Sequence, residues 1–274
     1  MRLGYTQVIP ALTLLSNAVS LAASSDVALL VIGLNSCWES EGYDRPDLSL
    51  PMDTDNLVSA VAEANPNTIV VIQAGSAVAM PWLDKVKGVV FAWYLGNETG
   101  NAIADIIYGY TNPSGRLPIT FPKRELDIPA NLNYKSARTK VYYDEGIWVG
   151  YKHFNARGID PLFSFGHGLS YTTFVYSGLH ISQVPESPKN VGADGWRVEV
   201  AVQVENTGKE EGAHTVMFWL SPPPESPNGL KHPEWTLQGF QKVYGLKSGT
   251  KREIKVSFDK CKFSLDTYSR EYSL

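Results

Sequence analysis

Short apolar runs alternate with amphipathic segments over residues 1–122 of the chain. The runs at 27–34, 68–73 and 88–94 are rich in Val, Ile and Leu, as buried strands are. Between the first two runs, residues 56–64 carry apolar side chains at helical spacing. This strand–helix–strand rhythm predicts a mainly parallel sheet with helices on both faces.

The pattern changes to short alternating strands from residue 175 onward. Residues 198–204 alternate apolar and polar side chains and run into the turn signal Asn206-Thr207-Gly208. Further strand-like segments follow at 215–220, 235–244 and 251–258. Short strands separated by turn signals at this spacing are typical of a β-sandwich.

Residues 123–174 follow neither pattern and are rich in aromatic side chains. We therefore predict three parts: an α/β domain over 1–122, a connector over 123–174 and a β-sandwich over 175–274. The fold class expected is α/β plus all-β. A connector of this length is unusual in a compact protein unless it packs against the domains that it joins.

Composition and charge exclude some classes of partner. The net charge is −4, so the chain lacks the basic footprint of a nucleic-acid-binding protein. Its 43% hydrophobic and 19% charged residues are those of a globular protein with an ample core. No apolar run approaches the roughly 18 residues that a membrane span needs, so we predict neither a nucleic-acid nor a membrane partner.

The first residues fit two interpretations. Arg2 followed by the apolar stretch 8–23 has features of a secretory signal. The same stretch fits an amphipathic helix that packs on the first strand through Leu12, Leu15, Val19 and Leu21-Ala22. We expect the helix, which leaves localisation open between secreted and cytoplasmic.

Two cysteines, Cys37 and Cys261, make neither a disulfide framework nor a metal site. We interpret Cys37 as a free thiol. The chain contains no phosphate-binding glycine loop and no metalloprotease motif. Its chemistry is therefore expected to need no cofactor and no metal.

Candidate chemistry concentrates in the polar loop 35–45, directly after the first predicted strand. The loop carries two carboxylates, Glu39 and Glu41, between the aromatic residues Trp38 and Tyr43. Ligands of open α/β sheets bind outside the carboxyl ends of the strands, which is where this loop lies. A solvated acidic loop without a function is the alternative that spacing alone leaves open.

Residues 38–45 (Trp-Glu-Ser-Glu-Gly-Tyr-Asp-Arg) resemble the acid/base loop of the glycoside hydrolase family 3 β-glucosidases. The resemblance implies that Glu41 is the general acid/base and that Tyr43 lines the substrate site. Glu39 remains the competing carboxylate. We also expect Trp38 and His167 to lie beside the substrate, and we predict that the neighbouring Asp44 and Arg45 form an ion pair that fixes the loop.

The resemblance extends over nearly the whole chain. Segments 95–105, 112–118 and 163–174 are similar to structural elements of the family, and 119–122 to its next strand. It implies an α/β/α sandwich followed by a fibronectin type III-like β-sandwich. The chain departs from the family at its end, where relatives have one more strand beyond the position of Leu274.

The barrel that precedes these domains in the family is absent from the sequence. The family places its nucleophilic aspartate on a (β/α)8 barrel, in a Ser-Asp-Trp-like context, and this sequence contains no Ser-Asp-Trp. A retaining glycosidase needs two carboxyl groups about 5–5.5 Å apart. We therefore expect the chain to be inactive on sugars by itself.

Three hypotheses about function follow. In the first, the chain contributes the acid/base domain of β-glucoside hydrolysis, with the nucleophile supplied by a missing N-terminal part, by a barrel-containing chain or through a homo-oligomer. In the second, a glycosidase-like scaffold performs acid/base or pericyclic chemistry on another small molecule. In the third, the chain is a non-enzymatic carbohydrate-binding or assembly module.

Overall fold

The structure is a computed structural model that describes residues 10–134, 140–185, 196–222 and 231–259. Its contacts divide the chain into two compact units. The first comprises residues 1–104 and 121–131, and the second comprises 105–120 and 132–274. The segment 105–120 therefore groups with the second unit, whereas the three-part division remains a prediction from the sequence.

A three-stranded parallel sheet forms the centre of the first unit, as the sequence predicted. Its strands are β1 (Ala28–Gly33), β2 (Thr68–Gln73) and β3 (Gly88–Phe91), in the order β1-β2-β3. The central strand β2 contributes Val70, Val71 and Ile72, which are fully buried. The described part of the unit also contains three short 3-10 helices, at Leu83–Lys85, Glu125–Asp127 and Pro129–Leu132. The last of these crosses the boundary between the units.

Two helices of the first unit pack on each other, α1 (Ala11–Ala23) and α2 (Thr54–Ala64). A third, α3 (Thr99–Ile107), crosses the boundary between the units. The cluster that joins α1 to the sheet is built from Ala22, Ala28 and Val61.

The N-terminal helix is confirmed, and its predicted packing face is correct in part: Ala22 is buried and Leu15 and Val19 are half-buried, whereas Leu12 and Leu21 are exposed. Leu12 is 81% exposed, whereas Ala18 and Ala22 pack against α2. Alanines allow the two helices to approach closely at this face, whereas Leu12, Leu14 and Leu21 are exposed. Residues 1–9 of the possible signal lie outside the described residues.

The strand predicted at 119–122 is reduced to a single bridge residue, Phe121. Pro118 precedes this segment and Pro122 is its last residue; neither can donate to a ladder, which explains why no longer strand forms. Phe121 is nevertheless 1% exposed, and its ring packs edge-on against Phe91 and Trp93 at centroid distances of 4.9 and 6.2 Å. Strand β3 is also shorter than predicted, because Trp93 leaves extended geometry with a φ of 56°.

The second unit contains the expected antiparallel strands. A short helix, α4 (Tyr151–Arg157), precedes β4 (Phe174–Pro185), β5 (Trp196–Asn206), β6 (Gly212–Leu220), β7 (Thr236–Leu246) and β8 (Lys251–Asp259). The strands form the sheets β4-β5-β8 and β6-β7. Both sheets contribute to one core of six buried side chains: Val202, Val204, Val216, Val243, Leu246 and Ile254.

A buried asparagine ties the connector to the sandwich in this unit. Asn206 is fully buried, and its side-chain oxygen accepts hydrogen bonds from Thr172 and from the backbone of Gly208. Its amide donates to the carbonyls of Glu210 and Leu246. All its polar capacity is therefore used, as a buried amide requires.

Some predictions fall outside the described residues. Cys261 and the departure from the family at the chain end lie in 260–274, which the structure does not describe. Within the described ranges, no helix has the length and apolar character needed to cross a membrane.

Candidate functional site

The candidate loop leaves the sheet at Gly33, the last residue of β1. A Cβ atom at this position would lie 2.0 Å from the carbonyl oxygen of Gln73, so only glycine allows the two strands to pair here. The backbone N–H of Leu34 donates to the same carbonyl at 2.8 Å. The side-chain oxygen of Asn35 then accepts the N–H of Cys37, which turns the chain away from the sheet.

Glu39 is bound on all sides by donors from the ends of β2 and β3. One carboxylate oxygen accepts the N–H of Gly75 at 2.7 Å and the hydroxyl of Tyr94 at 2.5 Å. The other accepts the hydroxyl of Ser76 at 2.5 Å and lies 3.6 Å from the Arg45 guanidinium. The side chain is 18% exposed, so this carboxylate anchors the loop to the sheet.

These contacts favour the ionised form of Glu39. Burial alone would raise the pKa of Glu39, but the hydrogen bonds from Ser76, Tyr94 and Gly75 and the Arg45 charge lower it overall. Burial and the Glu39 carboxylate in turn raise the pKa of Tyr94 to about 12. Glu39 is therefore a carboxylate at neutral pH and a poor proton donor.

The predicted ion pair between Asp44 and Arg45 is wrong. Arg45 instead pairs with Glu39 and donates to Ser76 and to the carbonyls of Asp47 and Ala77. Asp44 is exposed. The Arg45 side chain is thus directed at the residues that follow β2, whereas Asp44 faces solvent.

Glu41 has the opposite surroundings. It is exposed, and its side chain makes no hydrogen bond or ion pair within the described part of the chain. Ser40 and Tyr43 form an isolated antiparallel bridge, which places Glu41 and Gly42 at the tip of a tight turn. The carboxylate predicted as acid/base is therefore free to approach a ligand.

The remaining predicted residues of the loop lie near Glu41 in the chain. Tyr43 is 50% exposed and donates its hydroxyl to the carbonyl of Ser36 at 2.8 Å, which fixes its ring. Trp38 is half-buried. Cys37 is an exposed free thiol, as the sequence indicated.

His167 lies in the second unit, so its predicted place beside the substrate remains a prediction. Its ring stacks on Phe163 at 4.9 Å, and its carbonyl accepts the N–H of Leu117. Burial and the charge of Arg116 lower the pKa of His167. These contacts favour a neutral imidazole at physiological pH.

Sequence reasoning missed the residues that bind Glu39. Gly75 and Ser76 follow β2, and Tyr94 follows β3. These residues could have been predicted. The carboxyl ends of parallel strands meet at one edge of the sheet, so residues that follow β2 and β3 are expected beside the loop that follows β1.

The first unit thus presents one anchored carboxylate and one free carboxylate on the same loop. A free carboxyl group can donate a proton to a leaving group or accept one from water. In the described residues, no group of three His, Cys, Asp or Glu side chains is arranged to hold a metal ion. The arrangement therefore supports acid/base chemistry at Glu41.

Comparison with known proteins places this loop in a family. Residues 4–171 match the family model of the glycosyl hydrolase family 3 C-terminal domain. A probable beta-glucosidase I from Emericella nidulans is 46% identical over 247 residues, which cover 90% of this chain and 29% of that protein. One from Aspergillus niger is 44% identical over 260 residues, 94% of this chain and 31% of that protein. The chain belongs to glycosyl hydrolase family 3.

Solved structures agree with this assignment. The beta-glucosidase from Kluyveromyces marxianus in complex with glucose superposes with a TM-score of 0.83 at 39% identity. That match covers 93% of this chain and 29% of the yeast enzyme. The beta-glucosidase from Bifidobacterium adolescentis gives a TM-score of 0.82 at 36% identity, over 94% of this chain and 36% of that one. The chain thus spans about 29% of the length of the first of the curated relatives, and the family model that it matches is that of the C-terminal domain.

Proposed function

We propose that the chain supplies the acid/base domain of a β-glucosidase-type site and that Glu41 is the general acid/base. The observation that carries the proposal is the contrast between the two carboxylates of the loop. Glu39 is held ionised by Gly75, Ser76 and Tyr94, whereas Glu41 is exposed at the tip of the turn. The names of the relatives and the glucose bound to the yeast enzyme support a β-glucoside as the substrate class.

In this role, Glu41 acts twice. As a carboxylic acid it protonates the glycosidic oxygen while a second carboxylate attacks the anomeric carbon and the bond to the leaving group breaks. As a carboxylate it then takes a proton from the water that hydrolyses the glycosyl intermediate. Tyr43 and Trp38 provide aromatic surface beside Glu41 for the leaving group.

The second carboxylate has to come from residues outside this sequence. General acid catalysis alone contributes about 10²–10⁴-fold, far less than enzymes achieve in total. We therefore propose that the chain alone does not turn over glucosides, and that a barrel-containing chain supplies the nucleophile.

Purified chain is first assayed alone with nitrophenyl β-glucoside, and no turnover is expected. It is then co-expressed with the part of the Emericella nidulans relative that it does not match, and turnover is expected to appear. Turnover by the chain alone would contradict the need for a partner. No turnover in the co-expressed complex, with both parts folded and associated, would contradict the proposed role.

Glu41→Ala in that complex tests the assignment. Hydrolysis of a glucoside with a poor leaving group is expected to fall by about 10²–10⁴-fold. Added azide should restore turnover of nitrophenyl β-glucoside, because azide needs no general base to attack the intermediate. Glu39→Ala is the matched control; it should weaken activity without any rescue by azide. Equal kinetics for wild type and Glu41→Ala would exclude Glu41.

One observation favours carbohydrate binding as a second candidate function. Tyr108 and Tyr110 are 75% and 81% exposed, with ring centroids 6.2 Å apart and planes tilted by 34°. Adjacent exposed rings offer apolar faces on which sugar rings can stack. Retention of the chain on insoluble β-glucan, lost in Tyr108→Ala/Tyr110→Ala but kept in Glu41→Gln, would support this function. No retention of the wild-type chain would exclude it.

A further inference from the structure

A cleft of about 540 Å³ opens on the β-sandwich of the second unit. Its walls come mainly from β6, with contributions from β4, β5 and the connector. Arg116, Tyr176 and His214 form its polar part, and Phe165, Trp219 and Trp235 are aromatic residues of its lining. No residue of the loop 35–45 lines it.

Arg116 is the one formally charged residue in the described lining of this cleft. Its guanidinium donates to the carbonyl of Gly168 and, at 3.0 Å, to Nδ1 of His214. Its Nε is buried and has no hydrogen-bond partner among the described residues, and no carboxylate of the described ranges forms an ion pair with it. A half-buried cation without a counter-ion is costly, so this site favours an anion.

The hydrogen-bond directions leave a second donor in the cleft. A guanidinium can only donate, so Nδ1 of His214 is the acceptor and Nε2 carries the proton of the neutral ring. Burial and the Arg116 charge lower the pKa of His214 to about 4, which keeps the ring neutral. Nε2 therefore donates to the oxygen of Tyr176, and the hydroxyl hydrogen of Tyr176 remains available.

The aromatic side of the cleft is a packed cluster. Trp219 and Trp235 meet edge to face with centroids 4.7 Å apart, and Phe165 lies 5.8 Å from Trp219 in the same geometry. Such walls favour a flat apolar group, because aromatic rings prefer offset or edge-on neighbours. Specific small-molecule sites combine apolar walls with a few polar groups in this way.

We propose that this cleft binds an organic carboxylate with an aromatic body. The guanidinium of Arg116 supplies the charge that attracts the carboxylate, and one carboxylate oxygen accepts the hydroxyl of Tyr176. The aromatic body packs against Trp219 and Trp235. The binding involves no covalent step and is independent of Glu41 and of glucoside hydrolysis.

Isothermal titration of the full chain with trans-cinnamate, and with cinnamyl alcohol as the neutral analogue, tests the proposal. Cinnamate is expected to bind at least about tenfold more tightly than the alcohol, since charged hydrogen bonds contribute more than neutral ones. Equal affinity for the two compounds, or a cinnamate Kd weaker than about 1 mM, would overturn the proposal.

Two variants assign the binding to this cleft. Arg116→Gln should weaken cinnamate binding about tenfold or more. Arg252→Gln is the matched control: it removes an exposed arginine of β8 that lies outside the cleft, and it should leave the Kd unchanged. Cinnamate bound as tightly by Arg116→Gln as by wild type would contradict the site.

Because Arg116 also holds Gly168, Tyr176→Phe provides a variant that does not depend on that contact. It removes the hydroxyl and with it the acceptor of the His214 Nε2–H, so we expect a folded protein with a lower melting temperature. We also expect a several-fold weaker cinnamate affinity, with the affinity for cinnamyl alcohol little altered. If Tyr176→Phe still preferred cinnamate over cinnamyl alcohol to the same extent as wild type, the hydrogen bond from the Tyr176 hydroxyl to the carboxylate would be excluded.

Discussion

Two glutamates stand two residues apart on one loop and have opposite environments. Glu39 accepts three hydrogen bonds, lies 3.6 Å from Arg45 and is 18% exposed, whereas Glu41 is exposed. The first arrangement holds a charge in place, and the second leaves a carboxyl group able to meet a ligand. The physical roles of the two residues therefore differ although their spacing along the chain suggests equivalence.

Removing these carboxylates should affect stability unequally. Glu39→Ala leaves the Gly75 N–H, the Ser76 hydroxyl and the Arg45 charge without their acceptor, and we expect it to lower the free energy of unfolding by about 1–3 kcal/mol. Glu41→Ala should stay within about 0.5 kcal/mol of wild type. Denaturant unfolding measures both. Equal losses in the two variants would contradict the anchoring role of Glu39.

The raised pKa of Tyr94 provides a direct probe of the same contact. In the wild type, burial and the Glu39 carboxylate raise this pKa to about 12. Glu39→Gln keeps a hydrogen-bond acceptor but removes the charge, so the pKa of Tyr94 should fall toward the ordinary value of 10.0. Tyrosinate absorbance during alkaline titration measures it, with Tyr94→Phe identifying the signal. An unchanged titration would mean that Glu39 does not act on Tyr94.

At the scale of elements, the loop depends on how closely β1 and β2 approach each other. Gly33 lies at the end of β1, opposite Gln73 in the parallel register. The pairing brings the backbone carbonyl of Gln73 to where a Cβ atom would be. This close approach is a property of the strand pair and fixes the point at which the loop leaves the sheet.

Gly33→Ala should disturb this pairing. The new methyl group would lie 2.0 Å from a backbone oxygen that has no room to move, so a loss of stability of about 1–3 kcal/mol or more is expected. Gly42→Ala is the matched control on the same loop, since no atom lies within 4 Å of its Cβ position. Thermal unfolding of both variants measures the difference. A Gly33→Ala protein as stable as wild type would show that the strands can separate here without cost.

At the scale of the whole molecule, each unit contains a side chain whose lowered pKa makes the folded state less stable at acid pH. The pKa of His214 is lowered to about 4 from an ordinary 6.5, so the unfolded chain binds its proton first and stability falls as the pH drops between these values. The pKa of Glu39 is lowered from an ordinary 4.5, so its stabilising effect is present above that pH and is lost as the pH falls further.

The pH dependence of unfolding should therefore have two separable contributions. His214→Gln, which removes the titration beside Arg116 and Tyr176, should flatten the loss of stability between pH 6.5 and about 4. Glu39→Gln should flatten only the part below pH 4.5. Denaturant unfolding at a series of pH values measures both. The same slope in all three proteins would contradict these assignments.

The amino-acid sequence by itself determined the elements and the location of the candidate chemistry. Apolar runs at 27–34 and 68–73 predicted β1 and β2, and alternation at 198–204 predicted β5, because these periodicities follow from local backbone geometry. The resemblance of residues 38–45 to the family's acid/base loop was also visible in the sequence, and the family assignment bears out that resemblance.

Only the tertiary structure decided which groups meet across the fold. The partners of Glu39 lie 36, 37 and 55 residues further along the chain, and no local pattern specifies them. The same holds for Arg45, which pairs with Glu39 rather than with its neighbour Asp44, and for Arg116, whose contact with His214 spans 98 residues. Periodicity fixes what each segment forms by itself, whereas hydrogen-bond partners and burial depend on which segments the folded sheets bring together.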